Sequence, residues 1–242
     1  MTTPPGILRL VEETGSTNAD LAGALRAGEL VPEVEWLVAR RQSAGRGRQG
    51  REWFDGAGNF MGSCAVRLSD GAPPPASLSF VAALAVRDAC AEALGSGDLL
   101  ALKWPNDVLL DGGKVSGILL EMVRGHVIVG VGVNLARAPQ LPDRKTAALS
   151  DFGNPPDLES FAASLARHFA TRLADWHTLG LGATLQAFLN GSIHAAGSPL
   201  TVHDAEGIKL SGSFAGLEES DGALRLRLAD GQERVIRAGD LV

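Results

Sequence analysis

The sequence predicts an α+β fold: a mixed or antiparallel sheet flanked by helices over residues 1–195, then a small β-barrel over residues 196–242. Three observations predict it. Apolar strands stand on either side of the turn residues Asp111-Gly112-Gly113, so the chain doubles back there. Two segments, about 77–94 and 158–177, repeat apolar residues at helical spacing. From Pro199 onward the texture changes to short alternating strands divided by glycine-bearing turns.

In order along the chain, Ile7–Val11 alternates like a strand, and Gly15-Ser-Thr-Asn18 offers a cap for a helix over Ala19–Ala27. Val34–Ala39 is a second strand that delivers an arginine–glycine loop. Phe60–Leu68 is a third, closed by Ser69-Asp-Gly-Ala-Pro-Pro-Pro75. The helix from Ser77 to Leu94 is interrupted by Arg87, Asp88 and Glu92, which marks an amphipathic core helix rather than a membrane span. Leu100–Trp104, Val115–Val123 and His126–Val133 read as a strand meander, with helices on one face of the sheet. A loop-rich connector, Pro139–Pro156, precedes a helix over Leu158–His177 and a shorter one over Ala183–Leu189. In the tail, Leu200–Val202, Ile208–Ala215, Ala223–Leu228 and Arg234–Ile236 are strands, with turns at Asp204–Gly207, Glu219–Gly222 and Asp230-Gly231.

The net charge of −6 argues against a general nucleic-acid binder. Yet Arg40, Arg41, Arg46, Arg48 and Arg51 crowd into one stretch, and a cationic spot on an acidic chain suits one small anionic ligand. Cys64 and Cys90 have no paired spacing, which points to reduced thiols in a cytoplasmic protein. Met1–Gly6 lacks the pattern of a signal peptide.

Five clusters carry chemistry. In Gly45-Arg-Gly-Arg-Gln-Gly-Arg51 the glycines allow positive φ and close approach, and the arginines offer forks matched to carboxylate and phosphate. A solvated basic turn is the competing reading. In Lys103-Trp-Pro-Asn-Asp107 the proline stiffens a turn that presents Asn106 and Asp107, to a ligand or simply to the backbone. Asp107 could hold an arginine or accept a proton from an incoming amine. Lys114, followed by small residues, can extend beside bare backbone towards a buried anion, or be merely solvated. In Val129-Gly-Val-Gly-Val-Asn134 a period of two puts Gly130 and Gly132 on one face, leaving room for a flat ligand or a packed helix. Gly15-Ser-Thr-Asn18 could satisfy a neutral polar ring or only cap a helix. The histidines are scattered and no nucleophile elbow or metal-ligand spacing is present, so covalent catalysis by a side chain and a protein-held metal are not expected.

In this order and spacing the clusters closely resemble biotin–protein ligases. That family carries Ser-Thr-Asn, then Gln-x-Ala-Gly-Arg-Gly-Arg-x-Gly-Arg-x-Trp, then Lys-Trp-Pro-Asn-Asp. A lysine eleven residues past the first, Gly-Ile-Leu and a Gly-x-Gly-x-Asn strand complete the pattern. These stand here as Ser16–Asn18, Gln42–Trp53, Lys103–Asp107, Lys114, Gly117–Leu119 and Gly130–Asn134. The resemblance implies a class II synthetase-like biotin/lipoate ligase fold with a C-terminal barrel. It implies that biotin is activated by ATP, with Mg²⁺, to biotinyl-5′-adenylate. Biotin then passes to a lysine of a biotin carboxyl carrier protein or carboxylase carrier domain. Lys114, Arg46 and Asp107 would be catalytic. Ser16, Thr17, Asn18, Gln42, Gly45, Arg46, Gly47, Arg48, Lys114, Gly117 and Gly132 would bind biotin. Arg48, Arg51, Trp53, Lys103, Asn106 and Asn134 would bind ATP and the adenylate. No residue after Asn134 is assigned to adenine. With six residues ahead of Ile7, no DNA-binding domain and no repressor activity are expected; a homodimer stays open. The alternatives are a lipoate–protein ligase and, more remotely, a nucleic-acid-binding module.

Overall fold

The computed structural model describes residues 8–142, 144–204 and 206–241. Met1–Gly6, the Ile7 start of the first expected strand and Ala205 of the first tail turn lie outside them. The chain runs β1 (Leu8–Thr14), α1 (Thr17–Ala27), β2 (Trp36–Gln42), β3 (Phe60–Arg67) and α2 (Leu78–Leu94). It continues through β4 (Leu100–Lys103), β5 (Asp107–Leu110), β6 (Gly113–Val123), β7 (His126–Val133) and α3 (Leu158–Asn190). Five strands end it: β8 (Pro199–Asp204), β9 (Lys209–Leu217), β10 (Leu224–Arg227), β11 (Glu233–Ile236) and β12 (Gly239–Leu241).

The first seven strands form one mixed sheet in the order β1-β2-β3-β7-β6-β5-β4. Only β1–β2 is parallel among these pairings; the rest are antiparallel. The doubling-back at Asp111-Gly112 joins β5 to β6. Both residues have positive φ, 47° and 73°, which a two-residue hairpin requires. The sequence reading missed β5, because Pro105-Asn106-Asp107 reads as a turn and Val108–Leu110 after it is apolar throughout, with no alternation.

Helices cover both faces of the sheet, not one as expected. The reason is that the inner strands are apolar on both sides. Val129, Val131 and Val133 of β7 join Trp36, Val38 and Phe60 in a core with α2 and α3. The opposite side carries Leu37, Ala65 and Ile128, which pack on Leu21, Ala22 and Leu25 of α1. In the large core, Trp36 meets Phe169 edge-on at 5.4 Å and Phe60 meets Phe161 at 5.6 Å. The helix α3 joins the two expected segments, with Gly180 as a break at φ 79°, ψ −178°.

The tail is an antiparallel sheet in the order β11-β10-β9-β8-β12. It is open rather than the expected closed barrel, because β11 and β12 do not pair with each other among the described residues. Three-residue β12 also escaped the sequence reading. This sheet is pinned to the first one by Trp104, whose indole Nε1–H donates to Gly222 O at 3.1 Å. A Cβ on Gly222 would lie 2.3 Å from the Phe80 ring, so only glycine lets the β9–β10 turn seat there.

Candidate active site

The face of the large sheet that holds α1 is only part-covered, and the site is built on the remainder. Period-two alternation puts Gly130 and Gly132 on this face and the valines in the core, as the sequence pattern requires. Gly117 pairs with Gly132 across β6–β7, so bare backbone from two strands lies side by side. The floor is not empty space. A Cβ on Gly132 would fall 2.2 Å from the Trp53 ring, and one on Gly130 would fall 2.2 Å from Asn18 Oδ1. The Trp53 ring therefore occupies the space that a side chain on Gly132 would need, with its Nε1 buried and unpartnered.

Parallel pairing of Thr14 with Gln42 brings Gly15–Asn18 against the start of the arginine–glycine loop. Ser16 caps α1, accepting from Ala19 N at 3.5 Å. Thr17 donates its N–H to Gln42 Oε1 at 2.7 Å, and its Oγ1 lies 2.6 Å from Ser63 Oγ. Ser63 in turn donates to Asn18 Oδ1, and Asn18 Nδ2 donates to Glu121 Oε2, both at 2.6 Å. Ser16, Thr17, Asn18, Gln42 and Ser63 are all buried. A buried polar network of this kind holds its members in fixed orientations. Ser63 and Glu121 were not foreseen. The available signal for Ser63 was a hydroxyl inside the otherwise apolar strand Phe60–Val66.

The arginine–glycine loop folds back on itself: Gly47 N donates to Arg51 O at 2.7 Å and Trp53 N to Gly45 O at 3.0 Å. Its left-handed positions are Gln49 and Gly50, at φ 56° and 72°, rather than Gly45 or Gly47. Gly45 serves close approach instead, since a Cβ there would sit 3.1 Å from Trp53 O. Arg46 reaches Glu121 at 3.7 Å. Arg48 donates to Asn106 Oδ1 at 3.0 Å and to Gly239 O at 3.2 Å. Arg51 pairs with Asp240. Burial lowers the Arg48 pKa, and the carboxylates of Asp240 and Asp107 work against that.

Lys103–Asp107 spans the β4–β5 turn, with a cis Trp104–Pro105 bond. Trp104 N donates to His194 Nε2 at 3.2 Å. His194 is 8% exposed, and burial, aided by the charge of Lys103, pushes its pKa down to about 4, so the imidazole is neutral. Asn106 Nδ2 donates to Ile118 O at 2.7 Å. Lys114 Nζ stands 2.6 Å from Asp107 Oδ1, and a Cβ on Gly117 would be 3.2 Å from that ammonium. Lys114 and Arg46 thus address one face of β6, near Gly117 and Glu121. Lys103 Nζ donates to Leu241 O at 3.3 Å. Asn134 Nδ2 donates to Ala147 O at 3.1 Å, while its Oδ1 is buried and unpartnered.

One surface therefore gathers Thr17, Asn18 and Gln42, the arginine–glycine loop, Asn106-Asp107, Lys114 and the glycine floor. It offers fixed polar groups at one end and several cations at the other. Such a surface can orient a neutral polar ring and hold two anions close together.

Residues 20–134 match the model of the Biotin/lipoate A/B protein ligase family. A Biotin–[acetyl-CoA-carboxylase] ligase of Paracoccus denitrificans is 41% identical, over 96% of this chain and 98% of its own length. One from Mycobacterium tuberculosis is 36% identical, over 97% and 88% respectively. The solved biotin protein ligase of Aquifex aeolicus, in complex with biotin and ATP, superposes with a TM-score of 0.83 at 25% identity. That match covers 98% of this chain and 97% of the Aquifex one.

Proposed function

The chain belongs to the Biotin/lipoate A/B protein ligase family, and on that premise we infer that it is a biotin–protein ligase. It activates biotin with ATP and transfers biotin to a lysine of a carrier protein or carboxylase carrier domain. The observation that carries this is the meeting of Lys114, Asp107, Asn106 and Arg48 beside the polar network at the start of α1.

In the first step a biotin carboxylate oxygen bonds to the α-phosphorus of ATP, and pyrophosphate leaves with the electrons of the broken P–O bond. Two anions must approach, and like charges 4 Å apart repel by about 4 kcal/mol at an effective dielectric constant of about 20. Lys114 and Arg46 oppose that repulsion, each close enough to the glycine floor to turn from its present carboxylate to a ligand oxygen. ATP would enter as its Mg²⁺ complex, and the ion would supply charge neutralisation on the phosphates beside that of Lys114 and Arg46. Thr17, Asn18, Gln42 and Ser16 take the ureido ring, with Gly45, Gly47, Gly117 and Gly132 as close backbone. Trp53, Asn134, Arg51 and Lys103 take the nucleotide. The buried orphans Trp53 Nε1 and Asn134 Oδ1 suit a ligand with both an acceptor and a donor.

In the second step the lone pair of a lysine amine attacks the carbonyl of the mixed anhydride; AMP leaves and the amine sheds a proton. Asp107 receives it. Its oxygens are open to the incoming amine once Lys114 has turned to the phosphate.

A lipoate ligase needs an apolar tunnel, whereas Thr17, Asn18, Gln42 and Ser63 line this end with hydrogen-bonding groups. A nucleic-acid module needs a basic surface to follow a phosphate backbone, whereas this chain carries a net charge of −6. The carboxylase carrier, a cytoplasmic setting and division into a catalytic unit 1–195 and a tail unit 196–242 belong to the same proposal. Free, buried Cys64 and Cys90 suit a reducing compartment, and no helix among the described residues is long and apolar enough to cross a membrane. The test is incubation with biotin, ATP and a carrier domain, read by mass spectrometry of the acceptor lysine. Transfer of lipoate with none of biotin would reverse the assignment.

A further inference from the structure

Three cations that the proposed function gives to the nucleotide all end on one short strand. Arg51 and Arg48 pair with the Asp240 carboxylate, Arg48 at 3.6 Å; Arg48 also donates to Gly239 O and Lys103 to Leu241 O. Asp240 belongs to no motif, and β12 reaches this place only because it pairs with β8 at the edge of the tail sheet. A Cβ on Gly239 would lie 2.5 Å from His203 O, so the strand is held tightly against its neighbour and Asp240 is delivered to a set position.

A carboxylate offers a guanidinium fork the same pair of oxygens that a phosphate does. Three cations converge here on one carboxylate and two carbonyls. We propose that Asp240 stands in for nucleotide phosphate on Arg48 and Arg51, and that ATP binds by displacing it, so that this residue sets the affinity for ATP. Without the carboxylate, the part-buried Arg48 and its neighbour Arg51 would face each other with only Asp107, acting on Arg48, as counter-charge. With it, the ligand-free site is neutralised, yet the pairs are partly exposed, at 23–41% for the three side chains, and so weak enough to exchange. A triphosphate brings several negative charges and outcompetes a single carboxylate. If the carboxylate stayed in place it would repel the phosphates, so exchange rather than joint coordination follows. This inference rests on the reading of Arg48, Arg51 and Lys103 as phosphate ligands.

The test compares wild type with Asp240→Asn, which keeps the shape and removes the charge, by biotin-dependent pyrophosphate release. The KM for ATP is expected to fall by about 3- to 10-fold, with the KM for biotin unchanged and the ligand-free variant melting lower than wild type. Asp240→Ser, tested in parallel in case the first variant folds poorly, is expected to move the ATP KM in the same direction. An unchanged ATP KM would reduce the contact to a plain pairing between two sheets. A raised one would make Asp240 an anchor that must stay; either overturns the exchange. Wild type that releases no pyrophosphate from biotin and ATP would instead overturn the ligase function, and this inference with it.

Discussion

The ammonium of Lys114 stands 2.6 Å from the carboxylate of Asp107, across the β5–β6 hairpin and directly over Gly117. Both groups come from one structural unit, so removing either leaves the other charged and part-buried. On the proposed mechanism this pairing separates the two steps of the reaction.

Lys114→Ala is expected to lower biotin-dependent pyrophosphate release by at least about 100- to 1,000-fold, the usual cost of losing one donor to developing charge. Asp107→Asn is expected to spare that step relatively and to slow transfer to the carrier lysine by about 100-fold. Pyrophosphate release and carrier labelling, measured on the same preparations, check both; equal losses in the two assays for Asp107→Asn would remove it as the base.

Arg48 ties three segments together through Asn106 Oδ1, Gly239 O and Asp240. Arg48→Gly breaks all three contacts and frees the loop that lies over the glycine floor. Losing a charged hydrogen bond costs about 1.5–3 kcal/mol, so the adenylate is expected to escape about 10- to 100-fold faster. Biotin found by mass spectrometry on lysines of an added bystander protein tests this. A variant that labels only the carrier, as wild type does, refutes the loop's retaining role.

Ser63 bridges Thr17 and Asn18 at 2.6 Å on each side. Ser63→Ala leaves both without that partner inside a buried network. The KM for biotin is expected to rise by about 10-fold, since an unmet buried group costs about 1–3 kcal/mol, while the KM for ATP holds. Parallel kinetics in the two substrates decide it: an equal rise in both would mean general loosening of the site.

His194 makes stability depend on pH. Unfolded, it takes up a proton near its ordinary value of 6.5; folded and buried, it resists until about 4. Its contribution is complete above 6.5 and is lost as pH falls from there towards 4, by up to about 3 kcal/mol. Glu92, drawn down to about 2 by hydrogen bonds from Arg167 and His168, contributes fully above its ordinary value of 4.5 and loses that contribution as pH falls from there towards 2, below the range tested. Urea denaturation at neutral pH and at about pH 5 checks this, with His194→Gln expected to lack the slope in that range. Equal wild-type stability at both pH values would contradict a buried neutral imidazole.

Much of this was legible beforehand because it rests on local rules. Alternation sorted Gly130 and Gly132 from the valines. The positive-φ residues Asp111 and Gly112 marked the hairpin, and Ser16 marked the start of α1. β5, a short apolar run without alternation behind a proline turn, and three-residue β12 left no period to read, and with β12 went Asp240. The single-sided helix layer failed for a different reason: strands buried on both faces look uniformly apolar, so the pattern does not say how many layers cover them. Ser63, Glu121 and His194 carry no motif; each matters through partners 45 to 103 residues away.

By itself, then, the sequence determined the family and the class of reaction and named the residues proposed for the site, because these follow from short spacings along one stretch of chain. Only the tertiary structure decided which charges meet. It put Lys114 on Asp107, Arg46 on Glu121, and Arg48 with Arg51 on Asp240. Those pairings depend on strand order and on how two sheets seat against each other through Trp104 and Gly222, and Coulomb attraction acts through space with no regard for separation along the chain.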